Sequence, residues 1–204
     1  MFKQNYSSKL LEEAVEQFAT LPGIGKKSAL RMALYILKQP EENINKFASS
    51  FVELRKHAKH CSVCNMISDS DLCTICSDRN RDNSVICVVE SVRDVLSIEN
   101  TQTYNGLYHV LDGIISPMDG IGPSDLPIFQ LEERIKKGGV NEVILALSTS
   151  MEGETTSYYL FKKLKNFNVK ITSIARGVAF GNDLEYTDEV TLAKSIENRQ
   201  PFKG

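Results

Sequence analysis

Four of the five cysteines in this 204-residue chain form two closely spaced pairs. The pairs are Cys61-Ser-Val-Cys64 and Cys73-Thr-Ile-Cys76, with eight residues between them. A Cys-x-x-Cys turn brings two thiolates to one point, and two such turns supply the four sulfurs of a tetrahedral zinc site. Because four thiolates leave no open position for water or substrate, the spacing predicts one structural Zn²⁺ per chain.

Two disulfides or a redox pair are the alternatives for these cysteines. Disulfides persist in secreted proteins, but residues 1–5 lack the apolar segment of a secretion signal, and no apolar run approaches the ~20 residues of a membrane span. A redox motif would need one Cys-x-x-Cys at a strand–helix turn, whereas this loop is polar. We therefore expect a cytoplasmic, zinc-binding protein in which His60, beside the quartet, is a bystander.

The net charge of −2 is unevenly distributed. Residues 1–60 contain ten Lys/Arg and six Asp/Glu, whereas residues 61–204 contain fourteen and twenty. This division predicts a basic surface for a polyanion in the first part and an acidic surface in the second.

Helical spacing of apolar residues predicts helices over 8–19, 26–38 and 43–59. In the third, an apolar stripe is expected to face inward; it comprises Ile44, Phe47, Ala48, Phe51 and Leu54.

The turn between the first two helices has the sequence Leu21-Pro-Gly-Ile-Gly-Lys-Lys-Ser-Ala. Gly23 and Gly25 permit unusual torsions and close approach of another molecule, and the next helix starts with free N–H groups that suit a phosphate. It is not a nucleotide-binding P-loop, because no strand precedes it and Lys27, not Lys26, precedes Ser28. The turn resembles a helix-hairpin-helix, which grips nucleic-acid backbones; an ordinary helix–helix corner is the alternative.

After the cysteines, predicted strands (85–89, 107–111, 142–147 and 169–174) alternate with predicted helices (from 91, 124–137, 154–167 and 188–198). This order predicts a mainly parallel sheet with functional groups at the carboxyl ends of its strands. Cys87 is expected to be a buried small side chain, and His109 to be a satisfied core or surface residue and not a catalyst.

Glu90 ends the first predicted strand, and Glu152 and Glu154 follow a later one. The arrangement resembles the Toprim domain, whose catalytic members hold magnesium with a glutamate and an Asp-x-Asp pair. Here Ser148-Thr-Ser150 follows the strand instead. We therefore expect at most weak Mg²⁺ binding and no turnover; the other interpretation of these acids is a surface that docks a basic partner.

Taken together, the motifs resemble the RecR family of bacterial recombination mediators over nearly the full length. The matching stretches are Leu21–Ala29, the cysteine quartet, Val88–Glu90, Tyr108–Gly113, Ile115–Pro123, Glu152–Glu154, Ala175–Gly177 and Leu184–Tyr186. Two departures are Lys26, where the family commonly has proline, and the segment 148–151.

The resemblance implies an α+β multi-module fold: a helix-hairpin-helix region (1–57), a four-cysteine zinc finger (58–80), a Toprim domain (81–175) and a helical C-terminal tail (176–204). It implies a non-enzymatic, nucleoid-associated protein that acts with RecO and RecF to load RecA at single-strand gaps, as dimers or ring-like tetramers around DNA. Lys27, Arg31, Lys26, Gly23 and Gly25 are then the expected DNA contacts, and Glu90, Glu152 and Glu154 the partner-docking acids. A magnesium-dependent nuclease and a zinc adaptor that binds only proteins are the alternatives.

Overall fold

A computed structural model describes residues 6, 8–179, 181 and 183–201. The chain divides into two compact units, residues 1–58 and 59–204. No helix in these described ranges is long and apolar enough to cross a membrane.

The first unit contains helices α1 (Lys9–Ala19), α2 (Lys26–Ile36) and α3 (Glu41–His57). Its core is small: Val15 of α1 packs with Ala29 and Ala33 of α2, and Ile24 from the connecting turn is partly buried against them. The two alanines leave room for α1 and α2 to approach closely. Ser8 caps α1, where its side chain accepts a hydrogen bond from the N–H of Leu11 (3.4 Å).

The expectation that the stripe on α3 faces inward is wrong. No residue of α3 is buried, and the exposed fractions of Phe47, Phe51 and Leu54 are 47%, 56% and 59%. The two phenylalanines contact each other edge to face, with ring centroids 4.9 Å apart. The amphipathic pattern that predicts an internal core therefore lies on the outside of this unit.

The second unit opens with the cysteine module. Strands β1 (Lys59–His60) and β2 (Ile67–Ser68) pair antiparallel, and the short helix α4 (Thr74–Ser77) follows. The first cysteine pair lies in the turn between β1 and β2, and Cys76 lies in α4.

A four-stranded parallel sheet forms the rest of this unit, in the order β4-β3-β5-β6. Its strands are β3 (Asp82–Val89), β4 (Gly106–Val110), β5 (Glu142–Ala146) and β6 (Lys170–Ser173). Helices connect them: α5 (Val92–Asn100), α6 (Ile128–Lys136) and α7 (Met151–Leu164), and α8 (Glu189–Glu197) lies in the C-terminal tail.

Strand β3, one of the two inner strands of the sheet, is apolar in its second half, as expected of a strand covered on both faces. Ile86 and Val88 pack into one core with residues of α6 and α7, and Cys87 and Val89 pack into the other with residues of α5 and β4. Cys87 is buried, as predicted, and the structure places His109 in the core as well.

Two helices, α6 and α7, begin three or more residues from the predicted position. The segment expected to open a helix at Ser124 is instead a 3₁₀ turn, Pro123–Asp125, and α6 starts at Ile128. Helix α7 starts at Met151, three residues early, because the Ser150 side chain accepts a hydrogen bond from the N–H of Gly153 (3.1 Å) and caps it.

Candidate functional site

The four cysteines of the module converge. Their sulfur atoms all lie within 4.8 Å of one another, and Cys61, Cys64 and Cys73 are buried. The Sγ atoms of Cys64 and Cys73 are 3.5 Å apart, close to the roughly 3.8 Å between sulfurs that sit about 2.3 Å from a tetrahedral zinc. All five cysteines of the chain are free thiols. The donor set and spacing therefore fit Zn²⁺ and not a pair of disulfides.

Local backbone geometry holds the sulfurs in place. The N–H of Cys73 donates to Sγ of Cys61 (3.3 Å), and the N–H of Cys76 donates to Sγ of Cys73 (3.4 Å). Such N–H···S bonds favour the thiolate. Burial raises the pKa of Cys61, but the backbone donors outweigh it and bring the pKa to about 7.

In contrast to Cys61, the cysteines Cys64 and Cys73 have pKa values above that of a free thiol. The neighbouring Cys76 thiol and burial together raise the pKa of Cys64, and burial raises the pKa of Cys73 to about 11. Thiols this close to one another do not ionise together without a compensating cation. A divalent metal would supply that charge.

The module is joined to the sheet through β4. The N–H of Val110 donates to the carbonyl of Cys64 (2.8 Å), and Nδ2 of Asn65 donates back to the carbonyl of Val110 (3.0 Å). Asn65 has a positive φ of 62°, which a tight cysteine turn demands and asparagine tolerates. His60 donates from Nδ1 to the carbonyl of Asn65 (3.1 Å), so its ring contacts the turn and not the sulfur cluster.

The glycine turn of the first unit exposes its backbone. The φ angle of Gly23 is +79°, a conformation that favours glycine over other residues. The φ angle of Gly25 is −82°, which any residue can adopt. A Cβ atom at Gly25 would meet nothing within 4 Å. Neither conformation nor internal packing therefore requires glycine at position 25, and the space beside it is open to another molecule.

Gly25 is also the N-cap of α2, and it provides no side-chain cap for the first N–H groups of the helix. The positive end of the helix thus faces outward with unsatisfied donors, the arrangement that binds phosphate.

The predicted cations around this turn do not share one surface. Lys27 and Arg31, one helical turn apart, line one groove together with Lys38. Lys26 lines a different groove with the acidic residues Glu12 and Glu16. We define the basic face of α2 as Lys27 and Arg31 together with Lys38, which lies just beyond the end of the helix. The sequence does not predict Lys38 as a DNA contact, and the structure places it in this groove.

The three acids of the sheet lie at its carboxyl edge but differ in their surroundings. Glu90 follows β3, and Glu152 and Glu154 lie in the first turn of α7, after β5. The strand order changes direction between β3 and β5, which is where open α/β sheets bind ligands. Glu154 forms an ion pair with Arg176. Within the described residues, only the cysteine quartet brings three or more ligand-type side chains together.

Gly153, between the two glutamates, is required by close packing. A Cβ atom there would lie 2.2 Å from the carbonyl oxygen of Ser148, a distance that no side chain can adopt. The Glu-Gly-Glu sequence thus lets the start of α7 lie directly against the loop that leaves β5.

Four family models match successive parts of the chain. They are the RecR helix-hairpin-helix (residues 11–54), the RecR four-cysteine zinc finger domain (58–78), the Toprim domain (84–175) and the RecR C-terminal model (177–200). Their order confirms the predicted fold class, with a helical start, a cysteine module, a parallel-sheet domain and a helical tail.

Full-length relatives lead to the same family. The chain is 59% identical over 199 residues to "Recombination protein RecR" of Porphyromonas gingivalis, covering 98% of this chain and 96% of the relative. It is 54% identical over 201 residues to the protein of that name from Bacteroides fragilis (98% of each). The identity with that of Flavobacterium psychrophilum is 52% over 199 residues (98% and 97%). The chain therefore belongs to the RecR family of recombination proteins.

Proposed function

We propose that the protein is a DNA-binding recombination mediator that acts with RecO and RecF to load RecA at single-strand gaps and carries out no catalysis itself. The observation that carries the proposal is the open backbone at Gly25 next to the basic face of α2. Exposed helix N–H groups and cations grip phosphates without reading bases, so binding would be independent of sequence. Gly23 shapes the turn, and Lys26, on the other side, would contribute only long-range charge.

The cysteine quartet would hold one structural zinc. A metal that binds all four sulfurs has no position left for a substrate, so its contribution is to the fold of residues 59–78. We propose four modules: the helix-hairpin-helix region (1–57), the zinc finger (58–80), the Toprim domain (81–175) and the C-terminal tail (176–204).

Self-association into dimers or ring-like tetramers is the second part of the proposal. The apolar stripe of α3 is uncovered, and it continues into a groove lined by Met32, Ile36, Ile44 and Phe47. Contiguous exposed apolar side chains of this kind mark interaction surfaces, and a second copy of the chain offers a matching stripe. Assembly would place several basic faces on one DNA molecule and raise the affinity by avidity.

Solution mass, measured by light scattering with and without duplex DNA, tests assembly and binding together. We expect the wild-type mass to be a multiple of the 22.8 kDa chain and to rise when DNA is added. The double variant Phe47→Ser with Phe51→Ser should shift the free protein toward the monomer. Lys46→Ser, on the polar side of α3, is the control and should leave the mass unchanged. A wild-type protein that stays monomeric and ignores DNA would overturn the proposal.

The acids of the sheet edge are proposed to dock a basic surface of a partner such as RecO. Glu90 and Glu152 are half-buried, and Glu154 is engaged by Arg176. Isolated carboxylates at these positions are poor ligands for the octahedral oxygen shell of Mg²⁺, so any such binding would be weak.

Incubation with DNA tests the catalytic alternative. Wild-type protein and Glu90→Gln should both leave single- and double-stranded DNA intact in Mg²⁺ or Mn²⁺, as judged by denaturing gels. Cleavage by the wild type that Glu90→Gln abolishes would instead identify a Toprim-type nuclease.

A further inference from the structure

Arg134 is a partly buried cation whose charge is not neutralised by any acid that contacts it in the described residues. It lies in the last turn of α6, and its Nη1 donates to the carbonyl of Tyr108 in β4 (2.8 Å). Its Nη2 is buried and has no hydrogen-bond partner among the described residues. Leaving such a donor unpaired costs free energy, so this nitrogen requires an explanation.

The hydrogen bond to Tyr108 positions Arg134 beside the cysteine module. Two residues further along β4, Val110 exchanges hydrogen bonds with the turn that contains Cys64 and Asn65. Burial lowers the pKa of Arg134, and the negative charges of Cys76, Cys64 and Cys61 oppose that shift. The carbonyl of Tyr108 and the N–H of Val110 point to the same edge of β4, so the guanidinium binds the edge of the strand that the cysteine turn also binds.

The filled site would need a counter-charge. Four thiolates around Zn²⁺ carry a net charge of about −2, and three of the four cysteines are buried, where solvent screens this charge poorly. Another nearby cation, Lys59, is exposed and pairs with Asp71 (3.4 Å). Arg134 is a partly buried cation on the sheet side of the module.

We propose that Arg134 supplies the positive charge that balances the zinc-bound thiolates. It is a positioning residue for the metal site and not a ligand. It links zinc occupancy to the Toprim domain, because the same side chain holds β4 through Tyr108. This inference rests on the proposed zinc site, and a wild-type chain that binds no zinc would refute that site directly, before any variant is compared.

Three variants separate charge from contact. Arg134→Met removes the charge and every donor, Arg134→Gln removes the charge but keeps an amide donor on a shorter side chain, and Arg134→Lys keeps the charge. Zinc affinity is measured by competition with a chromophoric chelator on the full chain. We expect affinity to fall about 10- to 100-fold in the Met and Gln variants, the range found when outer partners of a metal site are removed, and to fall less in the Lys variant. The control, Arg93→Met, removes an exposed arginine of α5 and should change nothing.

Denaturant unfolding of the zinc-loaded and metal-free forms provides the second readout. The Gln variant should lose more stability relative to the wild type when zinc is bound than when it is absent, because the zinc-bound module gathers four thiolates. Equal losses in both forms, or zinc affinity as high in Gln as in Lys, would show that Arg134 acts through packing alone. If the Met variant does not fold, the comparison of Gln with Lys still decides.

Discussion

Replacement of Cys64 by serine is expected to abolish stoichiometric zinc binding and to unfold the cysteine module. Cys64 is 1% exposed and its sulfur lies 3.5 Å from that of Cys73, so a hydroxyl there removes a central ligand. Structural zinc contributes about 10–16 kcal/mol in zinc-finger peptides, comparable with the roughly 5–15 kcal/mol stability of a whole domain. Residues 59–78 contain too few buried apolar side chains to fold without it.

Metal analysis and amide hydrogen exchange measure this effect. The wild type should contain about one zinc per chain, and the variant almost none, with protection lost across the module and at Val110, which bonds to Cys64. Cys87→Ala is the matched control, because Cys87 is also a buried cysteine but is not one of the four whose sulfurs converge. Full zinc content in the Cys64 variant would refute the tetrathiolate site.

Simultaneous replacement of Lys27 and Arg31 by alanine is expected to weaken binding to all DNA sequences alike. Both side chains are exposed and lie on the same basic face of α2. Removing one phosphate interaction reduces the slope of log K against log salt by about 0.9, so the slope should fall by nearly two for each hairpin engaged. We expect the affinity to fall on the order of tenfold to a hundredfold, and further when several copies bind together.

Fluorescence anisotropy over a salt series gives both the affinity and the slope. Lys137→Ala with Lys165→Ala removes the same charge from exposed positions of the second unit and should leave the slope unchanged. Lys38→Ala alone should reduce the slope by about half as much as the double variant. An unchanged slope in the double variant would remove the hairpin from the DNA-binding mechanism.

The features best predicted from the sequence are those with short-range causes. Cys-x-x-Cys spacing determines which sulfurs can meet, and the quartet converges as expected. The continuous apolar run at 85–89 indicates a strand covered on both sides, and it forms the second part of the inner strand β3. Both inferences need only the local sequence.

The features that were missed depend on contacts distant in sequence. An apolar stripe such as that of α3 shows that a helix has a preferred face, but not whether the covering surface belongs to the same chain. Arg134 is distant in sequence from the cysteines, and no sequence pattern relates them. The structure relates them through β4, which is hydrogen-bonded both to Arg134 and to the cysteine turn. The predicted start of α7 at residue 154 is three residues late, because apolar spacing does not reveal the cap that Ser150 forms with the N–H of Gly153.

The pairing between Val110 and Cys64 has a consequence for the metal-free protein. β4 is the outermost strand on its side of the sheet, and the cysteine turn satisfies amide groups there that would otherwise face solvent. An edge strand with unpaired backbone N–H and C=O groups can pair with strands of other molecules. By holding that turn in place, zinc would therefore also protect the sheet edge from aggregation, and depletion of the metal is expected to produce insoluble protein.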